Sequence, residues 1–118
     1  MTLLILAPEY FGGLRLYLRT GRGALRQGPI AGLPGDVRAC LLDTPAPRIV
    51  ILCGRRFADE LSDAVLDLAD LVVVPNTWLR NLSRLEPGER ALHAAQLAVA
   101  HAKAPIEHRL CRNYDGPF

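Results

Sequence analysis

One stretch limits the folds open to this chain more than any other, the run from Arg48 to Leu61. Ile49 to Leu52 is apolar at every position, so a strand there must be covered on both faces. Polar residues begin where that strand should stop, at Gly54-Arg55-Arg56. Beyond them Phe57, Leu61, Val65, Leu66, Leu68 and Ala69 recur at helical spacing. Asp59, Glu60, Asp63 and Asp67 fill the opposite side, which predicts an amphipathic helix over 55–68. Leu71 to Val74 is short, apolar and β-branched, and reads as a second strand. Strand, helix and strand in this order make a βαβ unit, which calls for a parallel pair.

The flanking segments extend the same architecture. Leu3 to Ala7 reads as a buried first strand, ended by the Pro8–Gly13 loop. Leu14 to Arg19 alternates strictly, with Leu14, Leu16 and Leu18 on one face and Arg15, Tyr17 and Arg19 on the other. Thr20 to Gly23 is turn-like, and Ala24 to Ile30 can return as the second arm of a hairpin. Gly28 to Asp36 is rich in Gly and Pro, an irregular loop; Val37 to Leu42 reads as a further strand. Asn76 or Thr77 can cap a short helix through Leu79, Leu82 and Leu85. Residues 89–104 form an Ala-rich helix, with Leu92, Ala95, Val99 and Ala102 as a narrow apolar seam. Small residues permit close approach, so this seam suits an intramolecular contact or a homodimer. The segment 106–118 adds an edge strand or remains a loosely ordered tail. The expected fold is thus α/β: a small Rossmann-like sheet, mainly parallel with an N-terminal hairpin, with helices 55–68 and 89–104 packed on it. The 118 residues fit one domain, 1–118.

Composition narrows the function classes. The net charge is +2, too small for the global basic field of a general DNA coater. Charge is nonetheless segregated: Arg15, Arg19, Arg22 and Arg26 come without an intervening acid, and Asp59, Glu60, Asp63, Asp67 and Asp70 without a base. Cys40, Cys53 and Cys111 are odd in number and form no CxxC, which argues against a disulfide framework or zinc ribbon. Free thiols suit a reducing, cytoplasmic setting. No apolar run reaches membrane-spanning length, so no membrane partner is expected. Neither GxGxxG nor GxxxxGK[ST] occurs, and no cofactor is expected. His93 and His101 are eight apart on one helix, about 12 Å of rise, too far to share a metal. No metal site is expected.

If the strands beginning at Leu3, Ile49 and Leu71 are parallel neighbours, their carboxyl ends gather the chain's chemistry. Those ends carry Glu9 and Tyr10, then Cys53, Gly54, Arg55 and Arg56, then Asn76, Thr77 and Trp78. Ligands of open α/β sheets bind at such ends. The helix starting at Arg55 offers its N-terminus to an anion. Two arginines add a fork that matches phosphate, and Gly54 permits close backbone approach. An arginine paired with Asp59 is the structural alternative. Trp78 or Tyr10 can stack a base, and Arg15, Tyr17 and Arg19 can extend the surface. The same three residues also suit the solvent face of an edge hairpin.

Cys53 lies near a helix N-terminus and arginines, which favours a thiolate. A phosphatase-type loop needs Arg six residues later, where this chain has Asp59, so a buried strand thiol is the competing reading. Glu9 and His93 are candidates for proton transfer.

Three readings of function follow. The first is binding, with possible metal-independent cleavage, of a phosphate-bearing ligand such as a nucleotide or short RNA. The second is a non-enzymatic regulator or inhibitor acting through protein contacts. The third is a cysteine-dependent enzyme using Cys53.

Overall fold

A computed structural model describes residues 1–8, 14–21, 23–28, 34–76 and 87–115, without the side chains of Pro8, Leu14, Arg55, Arg56, Pro87, Gly88, Arg90 and Ala91. Six strands form one sheet: β1 (Thr2–Pro8), β2 (Leu14–Thr20), β3 (Arg26–Gln27), β4 (Arg48–Leu52), β5 (Leu71–Pro75) and β6 (Leu110–Tyr114). Their order is β3-β2-β1-β4-β5-β6. Among the described residues three helices accompany them: α1 (Pro34–Leu42), α2 (Arg55–Val65) and α3 (Pro87–His101).

The sheet is mixed rather than mainly parallel. β1–β4, β4–β5 and β5–β6 pair parallel, whereas β1–β2 and β2–β3 pair antiparallel. The reason lies in connection length. Pro8 and Leu14 are too close in sequence for a crossover helix, so β2 must fold straight back on β1. It does so over its whole length, from Thr2↔Thr20 to Pro8↔Leu14. Only the second half of the chain alternates strand and helix, so the architecture is a small mixed α/β sheet.

The apolar runs are buried as expected. Leu3, Ile5, Ile49, Ile51, Leu71 and Val73 face one side; Leu4, Leu6, Val50, Leu52, Val72 and Val74 face the other. α1 and α2 cover the second face through Val37, Leu41, Ala58, Leu61 and Val65. α3 covers the first through Ala94 and Ala98, whose small side chains admit the helix close to the strands.

Two elements depart from expectation. The segment 37–42 is helical, as part of α1, not a strand. Val37 and Leu41, four apart, are both fully buried, whereas Asp36, Ala39 and Leu42 are exposed. Six residues hold too few turns for period alone to decide; Pro34 at the first position and Asp36 in the first turn carry the signal. Packing then fixes it: Arg38 reaches Asp67 with bonds of 2.6 and 3.1 Å and the Ala64 carbonyl, clamping α1 to the end of α2. α2 itself is regular only to Val65. Leu68 N–H then donates to the Val65 carbonyl at 3.0 Å, a tightened turn that closes the helix before Leu68.

The tail question resolves as well. A 3-10 turn, Ile106–His108, leads into β6, which pairs parallel with β5 at the sheet's edge. Among the described residues no helix is long and apolar enough to cross a membrane.

Candidate functional site

The three strands expected to be parallel neighbours are neighbours. Leu6 pairs with Leu52, and Ile51 with Val73, so β1, β4 and β5 end side by side. Cys53 N–H extends the ladder to the Leu6 carbonyl at 2.8 Å. The chain leaves β1 toward β2 and leaves β4 toward β5, in opposite directions across the sheet. β1 is followed by an antiparallel return and β4 by a helix, so the two strand ends at this junction lead into different kinds of connection.

Gly54 sits at this junction as the N-cap of α2, with φ 139° and ψ 109°. Only glycine adopts that region without strain, which explains the residue. The cap brings no side chain to the first-turn N–H groups, and none of the first-turn residues of α2 is acidic. The backbones of Arg55 and Arg56 open the helix here; the expectation for their side chains lies outside the described atoms. Glu9, Tyr10, Thr77 and Trp78 also lie outside the described residues.

A cleft of about 210 Å³ opens between α2 and the ends of β5 and β6, lined by Ala58, Asp59, Val74, Arg112 and Asn113. Its floor is the end of β5 and its walls are α2 and β6. Sequence reasoning missed Arg112 and Asn113, because the segment 106–118 had no assigned element. The usable signal was a strand-compatible Leu110–Tyr114 following a helix stop at Pro105, a second β-α-β step. Arg112 donates to the Asp59 carboxylate across the cleft, with the two side chains 49% and 74% exposed. Asp59 was the expected partner for an arginine of the Gly54 turn; the arginine shown bonding to it comes from β6.

The β5–β6 pairing is irregular here. Its register shifts between Val73 and Pro75, and Asn113 has φ 55°. Pro75 lacks an N–H to give the ladder. Bulges of this kind re-aim side chains at sheet ends. Asn76, expected as a ligand group or helix cap, fastens β6. Its amide donates to the Asn113 carbonyl at 3.1 Å and to Asp115 at 2.8 Å, and its N–H to the Tyr114 carbonyl at 2.8 Å.

β2 lies between β1 and β3, and on its Arg15–Tyr17–Arg19 face Arg15 and Tyr17 are half-buried. Tyr17 packs on the core beneath α3, and Arg19 is only 8% exposed. Register also divides the three. Arg15 stands opposite Ala7 at the carboxyl edge, whereas Arg19 stands opposite Leu3 near the other edge. In the amide orientation that satisfies both groups, the Gln27 carbonyl accepts from Arg15 Nε and Nη1 at 3.2 and 3.1 Å.

Cys53 is a buried core thiol. Burial pushes it up to about 12, so desolvation overrides the helix N-terminus that would favour a thiolate. His93 is half-buried, and burial holds its imidazole below the ordinary range. Its Nε2 hydrogen-bonds the Tyr114 hydroxyl, so it stands near the carboxyl edge on the α3 side of the sheet. Among the described residues, no group of three or more His, Cys, Asp or Glu is arranged to hold a metal.

No protein-family model, curated protein or solved structure matches the chain.

Proposed function

We propose that the chain binds a phosphate-bearing ligand, such as a nucleotide or short RNA, at the carboxyl edge of its sheet. The observation that carries this reading is the start of α2. The N-terminus of α2, whose N-cap Gly54 has no side chain, lies at the carboxyl edge of the sheet, and Ala58 and Asp59 of the same helix line a cleft that also holds Arg112. First-turn N–H groups and the helix dipole favour an anion there. The phosphate would contact the Gly54–Arg56 backbone, with the Arg55 and Arg56 guanidinium groups completing its coordination. Arg112 can join them by releasing Asp59. Tyr10 and Trp78 are the proposed stacking groups for a base. If the bound ester is cleaved, arginine would stabilise the developing charge, and His93 and Glu9 are the proposed proton carriers.

The test is a thermal-shift panel of mono- and dinucleotides, short RNA and inorganic phosphate. The reading expects at least one nucleotide to raise Tm in a concentration-dependent way. It expects Arg55→Ala combined with Arg56→Ala to abolish that shift while Tm without ligand stays near wild type. No shift with any member of the panel, or a shift indifferent to both arginines, would sink the reading. The burial of Cys53 favours this ligand-binding reading over one that uses its thiol as nucleophile.

A further inference from the structure

We propose that two copies of this chain pair, antiparallel and about a two-fold axis at Gln96, through the outer face of α3. The expected seam of Leu92, Ala95, Val99 and Ala102 does not face the sheet. Ala94 and Ala98 do, and both are completely buried. Leu92 and Val99 stand on the opposite side, 62% and 77% exposed. They belong to a stripe of α3, Glu89, Leu92, Gln96 and Val99, that Lys103 continues in the turn just past the helix end at His101, and every one of these residues is exposed. The spacing alternates three and four, the repeat by which one helix presents a seam to another.

The charges on this stripe say what covers it. Glu89 lies seven residues before Gln96 and Lys103 seven residues after it. Lys103 is the chain's only lysine. An antiparallel pair centred on Gln96 sets Glu89 of each copy beside Lys103 of the other. The two Gln96 amides then meet on the axis, where each can donate and accept. A parallel pair would set Glu89 against Glu89 and Lys103 against Lys103, so the charges select one direction. The backbone around Lys103 is held in place: Arg109 donates to the Ala104 carbonyl at 2.9 Å and to the Ala102 carbonyl at 3.2 Å. The stripe thus carries a pattern complementary to itself. The pairing does not depend on any ligand at the carboxyl edge, because it uses the side of α3 turned away from the sheet.

Sedimentation velocity over a range of protein concentrations tests it. Wild type is expected to show a reversible monomer–dimer equilibrium. Val99→Asp is expected to leave monomer, with an unchanged far-UV spectrum because the site is exposed. Either Lys103→Glu or Glu89→Lys alone is expected to weaken the dimer roughly 3- to 30-fold, as two surface ion pairs turn repulsive. The two together should return the constant to within about 3-fold of wild type. A wild type that stays monomeric up to about 1 mM, the weak end of measurable association, would overturn the proposal. So would a dimer indifferent to Val99→Asp, or a double charge swap no tighter than the single ones.

Discussion

The two edges of the sheet are built on opposite plans. At the amino edge the chain's polar groups are used up on its own backbone. Thr2 donates from N–H to the Pro47 carbonyl at 2.8 Å and from its hydroxyl to the Pro45 carbonyl at 2.7 Å. Arg48 reaches the Thr44 carbonyl at 3.1 and 2.9 Å and the Leu68 carbonyl at 3.4 Å. Asp70 accepts from the Arg48 N–H at 2.6 Å, and its own N–H returns to the Arg48 carbonyl at 2.8 Å. At the carboxyl edge Asn76 also bonds backbone, but the charged groups shown there meet side chain to side chain in the open. Arg112 and Asp59 meet across a cleft, and Gly54 caps a helix with nothing but backbone. The same residue chemistry, arginine beside a carboxylate or a carbonyl, thus fastens one edge and lines the other. What differs is whether it is tied to loop backbone.

Substitutions at the two edges should therefore separate stability from binding. The largest loss of stability is expected from Arg48→Ala. It removes a charged donor from two carbonyl groups and should cost about 2–3 kcal/mol in urea unfolding. Binding by the folded fraction should not change; a matching loss of affinity would mean that the edges are not independent. Gly54→Ala comes next. A β-carbon at φ 139° is strained, and about 1–3 kcal/mol of destabilisation is expected, together with weaker ligand binding. Wild-type stability in that variant would remove the conformational reason for glycine there.

Cys53 tests how closed the layer beneath the site is. Its folded pKa lies above the ordinary thiol value of 9.0, raised to about 12 by burial. The unfolded chain therefore ionises first. The contribution of this group to stability is intact below pH 9 and is lost progressively as pH rises from there toward 12. Urea midpoints measured between pH 8 and about 10.5 should fall more steeply for wild type than for Cys53→Ala. Iodoacetamide at neutral pH should leave Cys53 untouched in the folded protein and modify it in urea. The smallest stability effect is expected from Asp59→Ala, within about 1 kcal/mol because the ion pair is largely exposed. It frees Arg112, so anion affinity should rise rather than fall; a fall would make Asp59 part of the ligand's own contacts.

How much of this was legible in the sequence varies with the physics of each segment. β4, α2 and β5 were readable because each is long or uniform enough for its period to speak. The doubly apolar strands admitted one arrangement, covered on both sides. The segment 37–42 was misread because a single Val37 biased a six-residue run toward strand while its neighbours Pro34 and Asp36 marked a helix start. The direction of β2 was recoverable from loop length alone, which fixes an antiparallel return. The end of β4 was legible, since Gly54 and the polar turn mark where the strand stops. The β6 wall of the cleft was not, because Arg112 acquires meaning only when Leu110–Tyr114 docks against β5. Which side of α3 meets the sheet was not legible: alanines occur on every side of it, so period alone does not separate the Ala94–Leu97–Ala98 side that packs from the Leu92–Val99 side that is exposed.

The outermost strands bear on how far self-association can go. β3 is two residues long, and β6 is interrupted by the register shift at Pro75 and the positive φ of Asn113. Neither offers the long, flat row of free backbone groups on which a further strand could lay itself down. Among the described residues both outer strands thus disfavour growth by sheet extension. A helix face that is its own complement about a two-fold axis closes at two copies and leaves no surface for a third. Concentrating the folded protein should therefore populate a finite, soluble species rather than seed a fibre.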